Sequence, residues 1–148
     1  MALKTILTEP NKLLRQISQP VESVGDSERE LMNDMLETMY DANGIGLAAI
    51  QIGVTKKNDE KKTYEEGCLS VPNQFAEIQR SSKCEIEYLD FNGNKQNLEA
   101  EGLLATYIQH EMDHLEGILF IDYLSKLKKE MIIKKLSKQQ SKPDRIIV

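Results

Sequence analysis

The sequence predicts an α+β fold in which a mainly antiparallel sheet packs around a central helix, with one helix before it and one after. Three observations lead there. Apolar residues recur at helical spacing between positions 26 and 42, a run that alternates apolar and charged residues precedes the hairpin signal Asn92-Gly93, and helical periodicity returns over 101–139. The order helix, strands, helix, helix excludes a regular βαβ alternation and favours an antiparallel sheet.

Each element has its own signal. Met1–Val24, punctuated by Pro10 and Pro20, reads as an irregular arm. Asp26 or Ser27 can cap a helix whose apolar positions are Leu31, Met32, Met35, Leu36 and Met39, and Asn43-Gly44 ends it near Ala42. Gly44–Gly53 is apolar but too interrupted by glycine for a helix, and the lysine-rich Thr55–Lys62 reads as a loop. In Cys84–Leu89, Cys84, Ile86 and Tyr88 face one way and Glu85 and Glu87 the other; a second strand follows the turn to about Leu98. The next helix covers about Glu101–Leu115 with Gly117 behind it, a short apolar stretch spans Ile118–Ile121, and a last helix runs over about Tyr123–Gln139.

Composition narrows the function. The 148 residues form one expected domain, 1–148, with 40% hydrophobic and 29% charged residues. A net charge of -5 disfavours nucleic acid as the main partner, although Lys126–Lys138 is basic and reads either as a solvated helix face or as a contact for ribosomal RNA. No apolar run reaches membrane-spanning length, and Met1–Pro10 lacks the apolar core of a signal peptide. With only Cys68 and Cys84, a reducing cytoplasm is the natural setting.

The strongest chemical signal is His110-Glu111-Met112-Asp113-His114, which contains both histidines of the chain. Residues four apart share a helix face, so two imidazoles can grip one metal ion with Glu111 beside it. A catalytic site needs a third protein ligand and one open position. Cys68, in Glu66-Gly67-Cys68-Leu69-Ser70, is the better candidate, because Cys84 sits on the apolar side of its strand. Gly44-Ile45-Gly46-Leu47-Ala48-Ala49-Ile50-Gln51 reads either as a close approach to substrate, with the Gln51 amide available to an oxyanion, or as a tight loop packed in the core.

Together these three segments resemble peptide deformylase, whose motifs GφGφAAxQ, EGCLS and QHExxH occur in this order. The likeness extends to Met35–Tyr40, Glu101–Ala105 and Leu119–Asp122 and covers the chain to about Lys138. It implies a ferrous ion, replaceable by zinc, nickel or cobalt, held by Cys68, His110 and His114. It implies Glu111 as general base, with the Leu69 N–H and the Gln51 amide as oxyanion donors. Gly44, Ile45, Gly46, Glu66, Gly67, Leu103, Thr106 and Tyr107 are the implied substrate-binding residues. The substrate is the formylated N-terminus of a nascent polypeptide, the ribosome is an implied partner of the basic last helix, and the protein is taken to act as a cytoplasmic monomer.

The sequence also departs from that pattern. Only 16 residues, Ile52–Gly67, separate Gln51 from Cys68, where the family has a longer connection with two apolar strands. Excising a hairpin leaves ends about 5 Å apart, so the motifs can still converge, at the cost of a newly exposed edge. Ile146–Val148 is a candidate to cover that edge. Tyr107 stands where the family commonly has cysteine, which narrows the expected methionine pocket, and Ile50 replaces a frequent proline. Two rival readings share the motif: a generic zinc endopeptidase, and an inactive deformylase-like protein that binds peptides or the ribosome.

Overall fold

In the computed structural model, residues 3–44, 46, 52–57 and 60–140 are described. Helix α1 spans Asp26–Asp41, α2 Gly102–Leu115 and α3 Lys126–Gln140; the strands are β1 Ile52–Lys57, β2 Lys61–Cys68, β3 Val71–Ser81, β4 Lys83–Leu89 and β5 Lys95–Glu101. All pairings are antiparallel, with β1-β4-β5 in one sheet and β2-β3 in the other. The predicted class and the three helices stand. The α1 cap lies one residue earlier than expected, at Gly25, whose N–H is held by the Glu28 carboxylate at 2.8 Å.

The stretch read as a loop at Thr55–Lys62 is strand at both ends, and the long β3 has no counterpart in the sequence-based reading. Strand β2 carries Lys61, Lys62 and Glu65 exposed and Glu66 buried, so it lacks the apolar alternation that signals β structure elsewhere.

Register explains how the shortened connection works. Ile52 pairs with Tyr88 and Lys57 with Cys84; Lys61 pairs with Ser81 and Gly67 with Phe75. Strands β1 and β2 are therefore end-to-end partners of one long antiparallel path, β3 followed by β4, with Ser82 alone between those two strands. At that joint the Ser82 N–H donates to the Glu60 carbonyl at 2.7 Å. Lys57 and Lys61 thus follow one another along the same partner path. The proposed cover, Ile146–Val148, lies outside the described residues.

Two apolar clusters form the core, and the second of them holds α2. Val71, Ile78, Leu119, Phe120, Ile121 and Leu136 join β3, the 3-10 helix Phe120–Tyr123 and α3. Cys84, Ile86, Ala100 and Ala105 join β4 and β5 to α2, which leaves Cys84 a buried packing residue. Each large side chain so buried contributes roughly 1.5–3 kcal/mol. Gly117 ends α2 at φ 72°, and a side chain there would run into the Arg15 carbonyl oxygen.

The N-terminal arm is strapped to the body by polar contacts. The Ser18 N–H donates to the Leu115 carbonyl at 2.7 Å and the Glu9 N–H to that of Ser70 at 2.8 Å. Arg15 bridges Glu9 and Asp122, and Asp122 also pairs with Lys129 and accepts from the Leu119 N–H. Burial pushes the Asp122 carboxyl up, but the hydrogen bonds from Lys129 and Leu119 and the nearby Arg15 outweigh it and hold the group below its ordinary value of 3.8. A carboxylate so depressed stabilises the fold fully above its unfolded pKa, and that stability is lost as pH falls through the lower folded value. Asp122→Asn is expected to cost about 1.5–3 kcal/mol at pH 7. Urea unfolding should show this difference intact down to about pH 4 and shrinking below it.

Candidate metal centre

The site forms where the C-terminal end of β2 meets α2. A two-residue turn, Leu69-Ser70, closes the β2-β3 hairpin and sets Cys68 at its mouth, opposite Val71. Helix α2 starts abruptly after β5 because Gly102 adopts φ 61° and donates its N–H to the Ser82 carbonyl at 2.8 Å. Immediately before the metal motif, buried Gln109 locks the helix to the strand joint, donating to the carbonyls of Ser81 and Ala105, each at 2.9 Å.

His110 and His114 then face the hairpin together, their ring centroids 5.0 Å apart. Cys68 Sγ lies 3.3 Å from His114 Nε2, and one ligand atom from each of Cys68, His110 and His114 falls within 4.8 Å of the others. A tetrahedral ion with bonds of about 2.0–2.3 Å needs its ligand atoms roughly 3.5 Å apart. The trio fits a transition metal ion, and its one thiolate with two imidazoles suits zinc, iron and their neighbours. Cys84 is not part of it.

Electrostatics prepare the donors. Burial would raise the Cys68 thiol, but hydrogen bonds with His110 and His114 bring it down to about 6. Burial likewise disfavours charge on His110, yet its hydrogen bonds to Cys68 and Glu66 lift it to about 9. Cys68 is thus a thiolate at neutral pH, ready as a ligand, and a bound cation displaces the proton that His110 carries. Glu111 sits half-buried one residue on, its carboxyl raised by burial against the opposing pull of His110 and His114.

A buried network outside the donor set fixes His110. Its Nδ1 lies 2.8 Å from Glu66 Oε2, leaving Nε2 for a metal. Arg80 Nε and Nη2 grip both oxygens of Glu66 at 2.6 and 2.9 Å, and its Nη1 donates to Asp113 Oδ2 at 2.8 Å. Tyr123 donates its hydroxyl to the same Asp113 oxygen at 2.7 Å, while its ring lies 4.9 Å from the Arg80 guanidinium carbon. Phe120 stacks near-parallel to the His110 ring at 6.3 Å.

The expected substrate residues divide. Glu66 is 5% exposed, and its carboxylate is engaged by Arg80 and His110. Thr106 is buried, with its hydroxyl turned to the Gly102 carbonyl of its own helix. Half-exposed Leu103 and half-buried Tyr107 lie on the α2 face that continues to His110, Glu111 and His114. Gly67 is covered by the Phe75 ring from the facing strand, and Gly44 lies against Leu69 and Met39. Gly46 brings the first motif to the centre, since a methyl group on it would sit 2.6 Å from Glu111 Oε1. Ile45 and Gln51 lie outside the described residues.

Sequence reasoning missed Arg80, Asp113 and Tyr123. Recognition of β3 would have exposed Arg80, which shares its inward parity with Ile78 and so needs carboxylates around it.

An HExxH helix that faces a cysteine on a hairpin, within a mixed α+β frame, defines a metal-dependent hydrolase. The family model described as polypeptide deformylase matches residues 3–58 and 54–130. The chain is 65% identical to a peptide deformylase of Pelagibacter ubique (strain HTCC1062), with both sequences covered in full, and 48% identical to one of Maricaulis maris (strain MCS10), covering 98% of each. A crystal structure of peptide deformylase from Ehrlichia chaffeensis in complex with actinonin superposes with a TM-score of 0.94 at 36% identity, covering 96% of this chain and all of that one.

The chain belongs to the peptide deformylase family, hydrolases that remove the N-formyl group from nascent polypeptides. Its alignment with the Pelagibacter protein runs over 174 positions, 26 more than its own 148 residues. The two matched pieces of the family model meet at 54–58, inside the shortened connection.

Removing one member of the buried network leaves another uncompensated. Arg80→Leu is expected to destabilise the fold by about 3–5 kcal/mol, because two carboxylates lose their cation. Glu66→Gln keeps the shape but weakens the hold on His110, and should lower metal affinity about 10–100-fold. Competition with a chromophoric chelator measures the second effect, and an unchanged affinity would remove Glu66 from ligand positioning.

Proposed function

We propose that Cys68, His110 and His114 hold a ferrous ion, for which zinc, nickel or cobalt can substitute, and that Glu111 is the general base of deformylation. The convergence of the three donors with Glu111 on the adjoining helix turn carries this reading. Such an ion, when bound, supplies a Lewis acid that polarises the formyl carbonyl and acidifies water.

The protein groups do the rest. Glu111 accepts the proton of the attacking water and returns it to the departing amine, so that formate and a free N-terminus result. A carboxyl whose pKa is raised by burial is a stronger base than one in water. The Leu69 N–H and the Gln51 amide donate to the oxyanion of the tetrahedral species. Leu69 is suited to this because the tight hairpin turn fixes its peptide and the Glu9 N–H anchors the next residue, Ser70. Gly44, Ile45 and Gly46 are assigned to the substrate backbone with Gly67. Leu103 and Tyr107 are assigned to the methionine side chain, with Tyr107 one helical turn before Glu111.

We assign the chain to a single domain that works in the cytoplasm. No helix among the described residues is long and apolar enough to cross a membrane. The lysines of α3 give that helix a basic surface suited to ribosomal RNA, which would bring the site to formylated chains as they emerge.

Glu111→Ala is expected to retain the metal and lose deformylation of formyl-Met-Ala-Ser almost entirely. Metal analysis after anaerobic purification, paired with formate release, tests both halves; substantial residual turnover would exclude the general-base role. Gln51→Ala should cost about 2.7–4 kcal/mol of transition-state stabilisation, seen in kcat. Absence of hydrolysis of an internally quenched peptide by the wild type would exclude endopeptidase activity.

A further inference from the structure

Given the proposed ligand set of Cys68, His110 and His114, on which this rests, we infer that Tyr123 is a positioning residue of the metal centre. It acts through Asp113 and Arg80 to hold the Glu66 carboxylate on His110.

Tyr123 ends the 3-10 helix Phe120–Tyr123. Residues three apart on such a helix lie on one face, because each turn takes three residues. Phe120 and Tyr123 are so related, and they meet α2 at His110 and Asp113, again three apart. The 3-10 helix therefore docks on the metal motif in register. Phe120 stacks on the ring of one ligand, and Tyr123 reaches the residue before the other. The footing of this helix is firm. Phe120 and Ile121 are buried, and the Asp122 carboxylate accepts from the Leu119 N–H while pairing with Arg15 and Lys129.

Packing alone does not account for Tyr123, which is 51% exposed. Water could satisfy its hydroxyl, yet the hydroxyl donates to Asp113 Oδ2, the oxygen that also accepts from Arg80 Nη1. The two donors fill both lone pairs of that oxygen and leave the carboxylate one orientation. A guanidinium is a rigid plane, so fixing Nη1 also fixes Nε and Nη2. The Tyr123 ring adds a second constraint, since the guanidinium carbon lies over it, 4.9 Å from its centroid. Nε and Nη2 are the atoms that grip Glu66, and Glu66 Oε2 is the partner of His110 Nδ1. Glu66 and Arg80 are buried, Asp113 is half-buried and Tyr123 is exposed. Tyr123 thus closes the solvent end of the series and shields the ion pairs behind it from competing water.

Tyr123→Phe keeps the ring and removes the hydroxyl, whereas Tyr123→Leu removes both. Loaded with cobalt(II), the wild type is expected to show d–d bands that report the geometry of its ligands. Both variants should alter those bands and release cobalt faster to a chelator. The expected change is about tenfold for Tyr123→Phe, the low end for loss of a group behind a metal ligand, and larger for Tyr123→Leu. Turnover of formyl-Met-Ala-Ser should fall in kcat with KM unchanged. In an Asp113→Ala background Tyr123→Phe should add nothing to cobalt release, because the group it acts through is gone. A merely structural tyrosine would lower the urea midpoint and leave cobalt bands and release as in the wild type, which would overturn the proposal. So would a Tyr123→Phe effect that persists in full beside Asp113→Ala. A wild type that takes up no cobalt would instead remove the ligand set itself, and the role of Tyr123 with it.

Discussion

The contact on which the rest of the structure depends is the buried grip of Arg80 on Glu66. Both side chains are nearly removed from solvent, and they join neighbouring strands of one hairpin across its inner face. Desolvating two charges is costly, and a lone bidentate pair often fails to recover that cost. Here the remaining valences are used: Glu66 reaches His110 on α2, and Arg80 reaches Asp113 on the same helix and the face of Tyr123. One cluster thus sets the distance between hairpin and helix, and that distance is the one over which Cys68 must meet His110 and His114. The pair also fixes which imidazole nitrogen of His110 is free, so stability and metal geometry are settled by the same atoms.

The connection that departs from the family tests how much of the sheet the site requires. Strands β1 and β2 follow one another along β3 and β4. The centre is held from elsewhere: Cys68 by its turn and the neighbouring Glu66 network, and the histidines by α2. What the loss changes is an edge. Among the described residues β1 and β2 each have one strand neighbour, and the lysines and glutamates of β2 are the residues an edge carries.

Legibility in the sequence followed periodicity. Helices α1 and α2 were placed within a residue or two because apolar spacing and glycine stops agree, and β4 because its apolar face packs on Ala100 and Ala105. Strands β2 and β3 escaped because their inward positions include Glu66 and Arg80, and a buried ion pair has no apolar signature. In the site, His110 and His114 announce themselves through a four-residue helical repeat. Cys68 needed a tertiary meeting that no local spacing encodes; strand alternation set Cys84 aside as a packing residue, and the resemblance to a family then named Cys68 as the ligand. Asp113 stood inside the motif and was passed over, because its partner lies on a strand that was not recognised.

Gly46 carries the last step. Small residues in the first motif suggested room for a substrate backbone, a reading that competes with simple close packing. The geometry adds a third cause, since the space a side chain would need at Gly46 is taken by the Glu111 carboxylate. A carboxylate that must both accept and return a proton has to keep one orientation without forming an ion pair that would quench it. Packing against bare backbone does this: it excludes water, which raises the pKa, and leaves the oxygens uncommitted to a cation. Glu66 and Glu111 are thus two glutamates at one metal centre with opposite fates. The one clamped by Arg80 is held below the usual carboxylate range and orients a ligand. The one laid against glycine is held above it, which suits the proton transfer proposed for it.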